Sequence, residues 1–265
     1  MSLLDRFFQL REESAETKPF LEHLEDLRWM LMKMAMVLLA SMVGSFFMRH
    51  ELVRIVQQPL ASVDPELVAR LQTLGVADSL TISFQLAFYA GFVVSFPLHL
   101  LFLAQFVIPA LTKKEKKVVF PGIAIGTGLF LGGVVLCYFF VLPQTLEFFF
   151  QDAKSLDWKP TWTVREYFSF VTHMTLAFGI AFELPIVVMT LVGMGMLSFE
   201  FLNRTRPYAV VVLMVIAAIL APTPDLITFF SMAAPMCLMY EACIWLAWMI
   251  DRRRKRRLEA PLDPL

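Results

Sequence analysis

Residues 167–194 read YFSFVTHMTLAFGIAFELPIVVMTLVGM, an apolar run in which Glu183 is the single carboxylic acid. A helix needs roughly 20 residues to cross about 30 Å of hydrocarbon, and this run exceeds that length. It therefore predicts a membrane-spanning helix with one acid inside it. Pro185 removes a backbone hydrogen bond two residues after the acid, so we expect a kink beside Glu183.

The composition of the whole chain agrees with a membrane protein. Hydrophobic residues make up 58% of the 265 residues and charged residues only 17%, whereas soluble domains carry about 45–50% apolar and about 25% charged residues. This excludes an ordinary soluble domain. The 23 basic and 23 acidic residues give a formal net charge of zero, which argues against a nucleic-acid-binding protein.

Five further apolar runs are bounded by charged residues or by proline and glycine clusters, so we predict an all-α integral membrane protein with six spans in a single transmembrane domain, 1–265. The fifth span is short, because its residues reach only about 21 Å at 1.5 Å per residue. A cytoplasmic amphipathic segment, 1–28, precedes the spans, and a basic tail, 251–265, follows them. The predicted spans cover approximately 29–48, 80–108, 118–142, 167–194, 207–220 and 226–250.

The distribution of lysine and arginine orients these spans. With the N-terminus inside, the inside segments hold sixteen basic residues and the outside loops six. The positive-inside rule therefore places both termini in the cytoplasm. The first 30 residues contain no continuous apolar run, so no cleavable signal peptide is predicted. We expect the two outside loops, about 49–79 and 143–166, to lie on the membrane surface.

Acids at membrane depth are the most informative residues, because a buried carboxylate needs a partner, a water-filled cavity or a proton. Glu183 either faces the interior of the bundle or faces outward toward a polar group on another helix. Glu241, in the sixth span, is expected to have a structural partner, with Lys33 as one candidate. Asp225 precedes the sixth helix and is expected to cap it.

Two segments carry acids at the cytoplasmic rim. Residues 19–28 form a short amphipathic helix that runs into the first span, with acids clustered on one side. In the loop 112–117, Glu115 stands among four lysines, a pattern typical of a cytoplasmic anchor. The four histidines are scattered, so no metal site or cofactor is predicted. Gly122xxxGly126 and Gly128xxxGly132 are small-residue patterns that favour close helix packing.

Six ordered motifs resemble the TatC family, the multispanning subunit of the twin-arginine protein translocase. Together they extend over nearly the whole chain. They are FLEHLEDLR at 20–28, QPL at 58–60, FVIPAL at 106–111 with Glu115, FGIAFELP at 178–185, RPY at 206–208 and PTPD at 222–225.

The resemblance implies a concave bundle in a bacterial inner membrane that binds the Arg-Arg signal peptides of folded cargo. The receiving acids map to Asp26 and Glu115, with Phe106 and Arg28 nearby. The family usually has Glu where this chain has Asp26, so Glu25 is a second candidate for that role. Glu183, with Pro185, is implied to contact single-span partner subunits of the TatA/TatB type, so the resemblance favours the outward orientation of Glu183. Pro59 belongs to the first outside motif.

The resemblance also implies a homo-oligomer that works in the lipid bilayer without an enzymatic reaction and draws on the proton-motive force. An ion-coupled secondary transporter is the main alternative, with Glu183, Glu241 and Lys33 as a proton relay. Against it, spans one to three and four to six show no inverted repeat. An intramembrane enzyme is a second alternative, but no paired Asp, Ser/Lys or Cys/His set supports it.

Overall fold

The computed structural model describes the backbone of residues 20–107 and 113–259, and the side chains of 23–107 and 121–252. This part of the chain is helical apart from turns, short connections and one isolated bridge between Gln72 and Thr163. The helices are α1 (Phe20–Phe47), α2 (Arg49–Val63), α3 (Pro65–Ala69), α4 (Asp78–Val107), α5 (Lys113–Leu136), a π-helical turn (Cys137–Val141), α6 (Leu142–Ser155), α7 (Val164–Ala181), α8 (Leu184–Gly193), α9 (Phe199–Arg204), α10 (Arg206–Leu220) and α11 (Leu226–Glu259).

Five helical stretches of the described chain are long and apolar enough to cross a membrane, which confirms an all-helical membrane protein. They are His23–Phe47, Asp78–Val107, Pro121–Ser155, Val164–Gly193 and Leu226–Arg252. The predicted fifth span corresponds to α10, an apolar helix of 15 residues. The third stretch does not end at Leu142 but continues as helix through the π-helical turn and α6.

The centre of the bundle depends on a close approach between α5 and α7. A methyl group added at Gly133 would lie 2.7 Å from the carbonyl oxygen of Phe178, and one added at Gly179 would lie 2.6 Å from the Phe130 ring. Phe130 is fully buried and stacks on Phe96 of α4, with ring centroids 3.6 Å apart. Three helices therefore meet where Gly179 leaves room for the Phe130 ring.

The small-residue patterns predicted in the third span are only partly correct. Among the described atoms, nothing lies within 4 Å of a methyl group added at Gly128 or Gly132. Within the described residues these two glycines do not mediate helix packing. Gly126 does, since an added methyl would lie 3.1 Å from Leu100 Cδ1.

The two long connections between spans, which contain α2, α3 and α6, are packed against the spans. Pro59, inside α2, has no N–H and so leaves the carbonyl of Ile55 without its helical donor. The hydroxyl of Tyr138 donates to that carbonyl over 2.7 Å. Tyr167 donates to the carbonyl of Val56, also over 2.7 Å. Pro59, which is itself buried, thus frees one carbonyl of α2 to accept a hydrogen bond from Tyr138.

Alanine substitutions at two adjacent glycines, Gly132 and Gly133, test the α5–α7 contact. Gly133→Ala should lower the free energy of unfolding by about 1–3 kcal/mol, because the added methyl overpacks against a backbone carbonyl that cannot move independently. Gly132→Ala, one residue away, should be neutral or slightly stabilising because its methyl meets open space and alanine favours helix. Thermal unfolding of the purified chain in detergent measures both. Equal effects at the two positions would contradict this account of the packing.

Candidate functional site

The start of α1 lies against the end of α4. The imidazole ring of His23 stacks on the ring of Phe106, with centroids 4.5 Å apart and an interplanar angle of 21°. Asp26 follows His23 by three residues and therefore lies on the same face of α1, directed toward α4. Asp26 is half-buried, whereas Glu25 and Arg28 are exposed. Asp26 thus lies on the side of α1 that carries the contact with Phe106, and Glu25 is exposed.

Glu115 belongs to the first turn of α5, and its side chain lies outside the described residues. The connection 108–112 also lies outside them. The backbone is still informative, because α4 and α5 are antiparallel neighbours in contact. The turn that carries Glu115 is therefore at the same end of the bundle as Phe106 and the acidic turn of α1.

Glu183 lies at a break in the fourth span. Helix α7 ends at Ala181, and α8 begins at Leu184 with Pro185 in its first turn. Both carboxylate oxygens of Glu183 are buried, and neither has a hydrogen-bond partner among the described residues. A methyl group added at Gly126 would lie 3.1 Å from Glu183 Oε2. The carboxylate is therefore directed into the bundle, against α5, and an outward orientation of Glu183 is wrong for this structure.

Glu241 has a partner that the sequence did not indicate. Arg206, at the start of α10, donates from Nε to Glu241 Oε1 over 2.5 Å and from its terminal nitrogen to Oε2. The suggested partner, Lys33, is instead exposed on α1. A relay of Glu183, Glu241 and Lys33 is therefore not assembled. Arg206 belongs to the RPY motif and precedes the fifth span, so the sequence alone indicates only a charge at the end of that span.

Asp225 caps α11 as expected. Its side chain accepts a hydrogen bond from the Thr223 hydroxyl over 2.5 Å and another from the backbone N–H of Thr228 over 2.7 Å. Burial acts to raise the pKa of Asp225, but the hydrogen bonds from Thr223 and Thr228 outweigh it, and the pKa lies below its usual value. A charged cap of this kind satisfies the N-terminus of α11.

Known proteins resemble this chain along most of its length. The family model for "Sec-independent protein translocase protein (TatC)" matches residues 22–235. The chain belongs to the TatC family. A relative in Aquifex aeolicus, a Sec-independent protein translocase protein TatC, is 34% identical over 89% of this chain and 98% of its own length. A relative of the same description in Akkermansia muciniphila is 48% identical, but over 69% of this chain and only 52% of its own length.

The fold agrees with the family. A crystal structure described as that of a twin arginine translocase receptor, TatC, matches with a TM-score of 0.76 and 34% identity, covering 86% of this chain and 98% of that one. The chain is thus a TatC-family component of a Sec-independent protein translocase.

In this TatC-family chain the acidic features lie at two depths. Leu100, which borders Gly126 and hence Glu183, is six residues from Phe106 on α4. That separation is about 9 Å along the helix axis. Glu183 is therefore nearer to the end of the bundle that carries Phe106 than to the opposite end.

The Arg206–Glu241 pair is expected to fasten α10 to α11. Arg206→Ala should destabilise the chain by about 1 kcal/mol, because a bidentate pair loses two charge-assisted hydrogen bonds. The double variant Arg206→Ala/Glu241→Ala should cost less than the two single changes added together. Arg204→Ala, which removes an exposed neighbouring arginine, is the matched control and should have little effect. Unfolding midpoints in detergent give these values, and strict additivity would show that the pair contributes nothing.

Proposed function

We propose that this chain is the receptor subunit of a twin-arginine translocase in a bacterial inner membrane. In this proposal it crosses the membrane six times with both termini in the cytoplasm, α10 being the short span. It binds the Arg-Arg signal peptides of folded cargo and recruits single-span partner subunits. Family membership supports the assignment, and so does the basic bias of the inside segments.

The His23–Phe106 contact carries the proposal for the signal-peptide site. It fastens the acidic turn of α1 beside the end of α4, at the same end as the turn that holds Glu115. Two carboxylates held on separate helices suit two guanidinium groups, since each planar fork accepts a carboxylate through two parallel hydrogen bonds. A lysine ammonium has no such fork. The arrangement therefore selects for arginine by geometry as well as by charge.

Asp26 is the principal N-terminal acid in this proposal, because it is half-buried on the face of α1 that meets α4. Glu25 is exposed on another face and takes a secondary part. Arg28 marks the entry of α1 into the membrane, and Phe106 offers an aromatic face on which a guanidinium can stack.

Replacing either receiving acid should weaken signal-peptide binding. Asp26→Ala and Glu115→Ala should each weaken the binding free energy of an Arg-Arg peptide by about 1.5–3 kcal/mol, the usual value of a hydrogen bond to a charged group. Binding is measured by fluorescence anisotropy on inverted membrane vesicles, which expose the cytoplasmic face.

Two controls sharpen this measurement. A Lys-Lys peptide should bind more weakly to the unaltered chain and should lose less affinity in either variant. Glu25→Ala should have a smaller effect than Asp26→Ala. A larger effect of Glu25→Ala would move the site by one residue, and binding to right-side-out vesicles alone would contradict the orientation.

Glu183 is proposed to contact the partner subunit. A carboxyl group without a hydrogen-bond donor is costly in a membrane interior, and no described residue supplies one. The break at 182–183 and Pro185 open the helix beside it. A polar side chain on an inserted partner helix supplies the missing hydrogen bond. That side chain reaches Glu183 through the break between α7 and α8.

If Glu183 contacts the partner subunit, two substitutions of Glu183 should differ in their effect on recruitment. Glu183→Gln keeps a donor and an acceptor of the same size and should retain part of partner recruitment, whereas Glu183→Ala should abolish it. Co-purification with a tagged single-span subunit measures recruitment, and Arg-Arg peptide binding should be unchanged in both variants. If Glu183→Ala prevents folding in membranes while Glu183→Gln binds partner normally, the acid is a structural group of the bundle.

A further inference from the structure

A second polar cluster connects α4 and α7 near the surface of the bundle. Gln85 Nε2 donates to the Thr172 hydroxyl oxygen over 2.9 Å and lies 3.3 Å from the Ser169 hydroxyl oxygen. One turn further along α4, the ring of Tyr89 meets the imidazole of His173 edge-on, with centroids 5.4 Å apart. The functions proposed above make no use of this cluster.

His173 presents a hydrogen-bond acceptor to the surroundings of the helix. Its Nδ1 lies 2.8 Å from the backbone carbonyl oxygen of Ser169. A carbonyl oxygen only accepts, so Nδ1 carries the hydrogen, and the neutral imidazole keeps Nε2 as an acceptor. His173 is exposed on the bundle surface, nine residues into α7. An acceptor at this depth meets hydrocarbon chains that have no hydrogen to donate.

His173 and Glu183 border the same face of α4. Tyr89, which contacts His173, and Leu100, which borders the Glu183 site, are eleven residues apart on that helix. Eleven residues make just over three turns, so the two side chains share a face and are separated by about 16 Å along the axis. The two polar groups therefore lie at different depths in the bundle, where this face of α4 meets α7 and α5.

We propose that Gln85, Tyr89 and His173 form a second intramembrane contact site. At this site the imidazole of His173 accepts a hydrogen bond from the single-span partner helix. The partner supplies a hydroxyl, amide or ammonium group about eleven residues from the residue that reaches Glu183. This site rests on the proposed recruitment of partner subunits and adds a second point of contact to it.

The depth of the site favours the partner helix over the signal peptide. Tyr89 lies seventeen residues from Phe106 on α4, about 25 Å along the axis. A signal peptide held by its arginines near Phe106 has an apolar core of about 7–15 residues, which as a helix spans roughly 10–22 Å and places only apolar side chains along the way. A helix that crosses the whole membrane reaches the site.

Three variants test the site in the full translocase complex. His173→Leu removes the acceptor and should reduce the recovery of a tagged partner subunit by about threefold to thirtyfold, the range expected for one interhelical hydrogen bond in a membrane. His173→Gln restores an acceptor and should recover most of the binding. Leu238→Ala is the control, because Leu238 is an exposed apolar residue of α11, outside the proposed contact site.

A photoreactive residue at position 176, one turn from His173, gives a second measurement that leaves His173 in place. It should cross-link to the partner subunit, and His173→Leu should remove that product. Unchanged partner recovery in His173→Leu, or a cross-link to an Arg-Arg peptide instead of the partner, would overturn the site. Loss of recovery in His173→Leu together with normal recovery in Glu183→Ala would retain this site and reject the role proposed for Glu183.

Discussion

The close approach of α5 and α7 governs where the polar groups of the bundle lie. Gly133 and Gly179 leave no room for a side chain between the two helices, and the Phe130 ring fills the space beside them. Gly126 is two turns before Gly133 and so lies on the same face of α5. Glu183, which follows the end of α7, therefore lies against Gly126, where the absence of a side chain leaves space for the carboxylate.

The break in the fourth span determines the electrostatic environment of the Glu183 carboxylate. Pro185 has no N–H for the carbonyl of Ala181, so the helix cannot continue unbroken through this point. Instead α7 closes with a hydrogen bond from the N–H of Glu183 to the carbonyl of Ile180, 3.0 Å long, and α8 starts anew. Glu183 then occupies the N-terminus of α8, where the helix dipole favours an acid. A costly residue is thus placed where the backbone offsets part of its cost.

Hydropathy predicts the long spans well because each crosses the bilayer on its own and needs no knowledge of its neighbours. Properties that depend on which helices meet are harder to predict. Glu241 pairs with Arg206, thirty-five residues away across a helical hairpin, whereas the sequence suggested Lys33 only because both lie within spans. The spacing of Gly128 and Gly132 was suitable for packing, but spacing does not show that their face of α5 is turned away from the other helices. The contact of Tyr138 with the carbonyl freed by Pro59 was likewise invisible before the fold was known.

The short helix α10 shows how the ion pair and the cap act together. Its 15 residues reach about 22 Å, roughly 8 Å less than the hydrocarbon thickness. At one end, Glu241 holds the guanidinium of Arg206 in a bidentate pair, and at the other, Asp225 is held by Thr223 and Thr228. In the proposed six-span topology, the ion pair fixes the start of α10 against α11, so we expect the bilayer to thin beside α10 rather than the helix to shift. A polar group placed beside α10 would then cost less than one placed beside the longer spans.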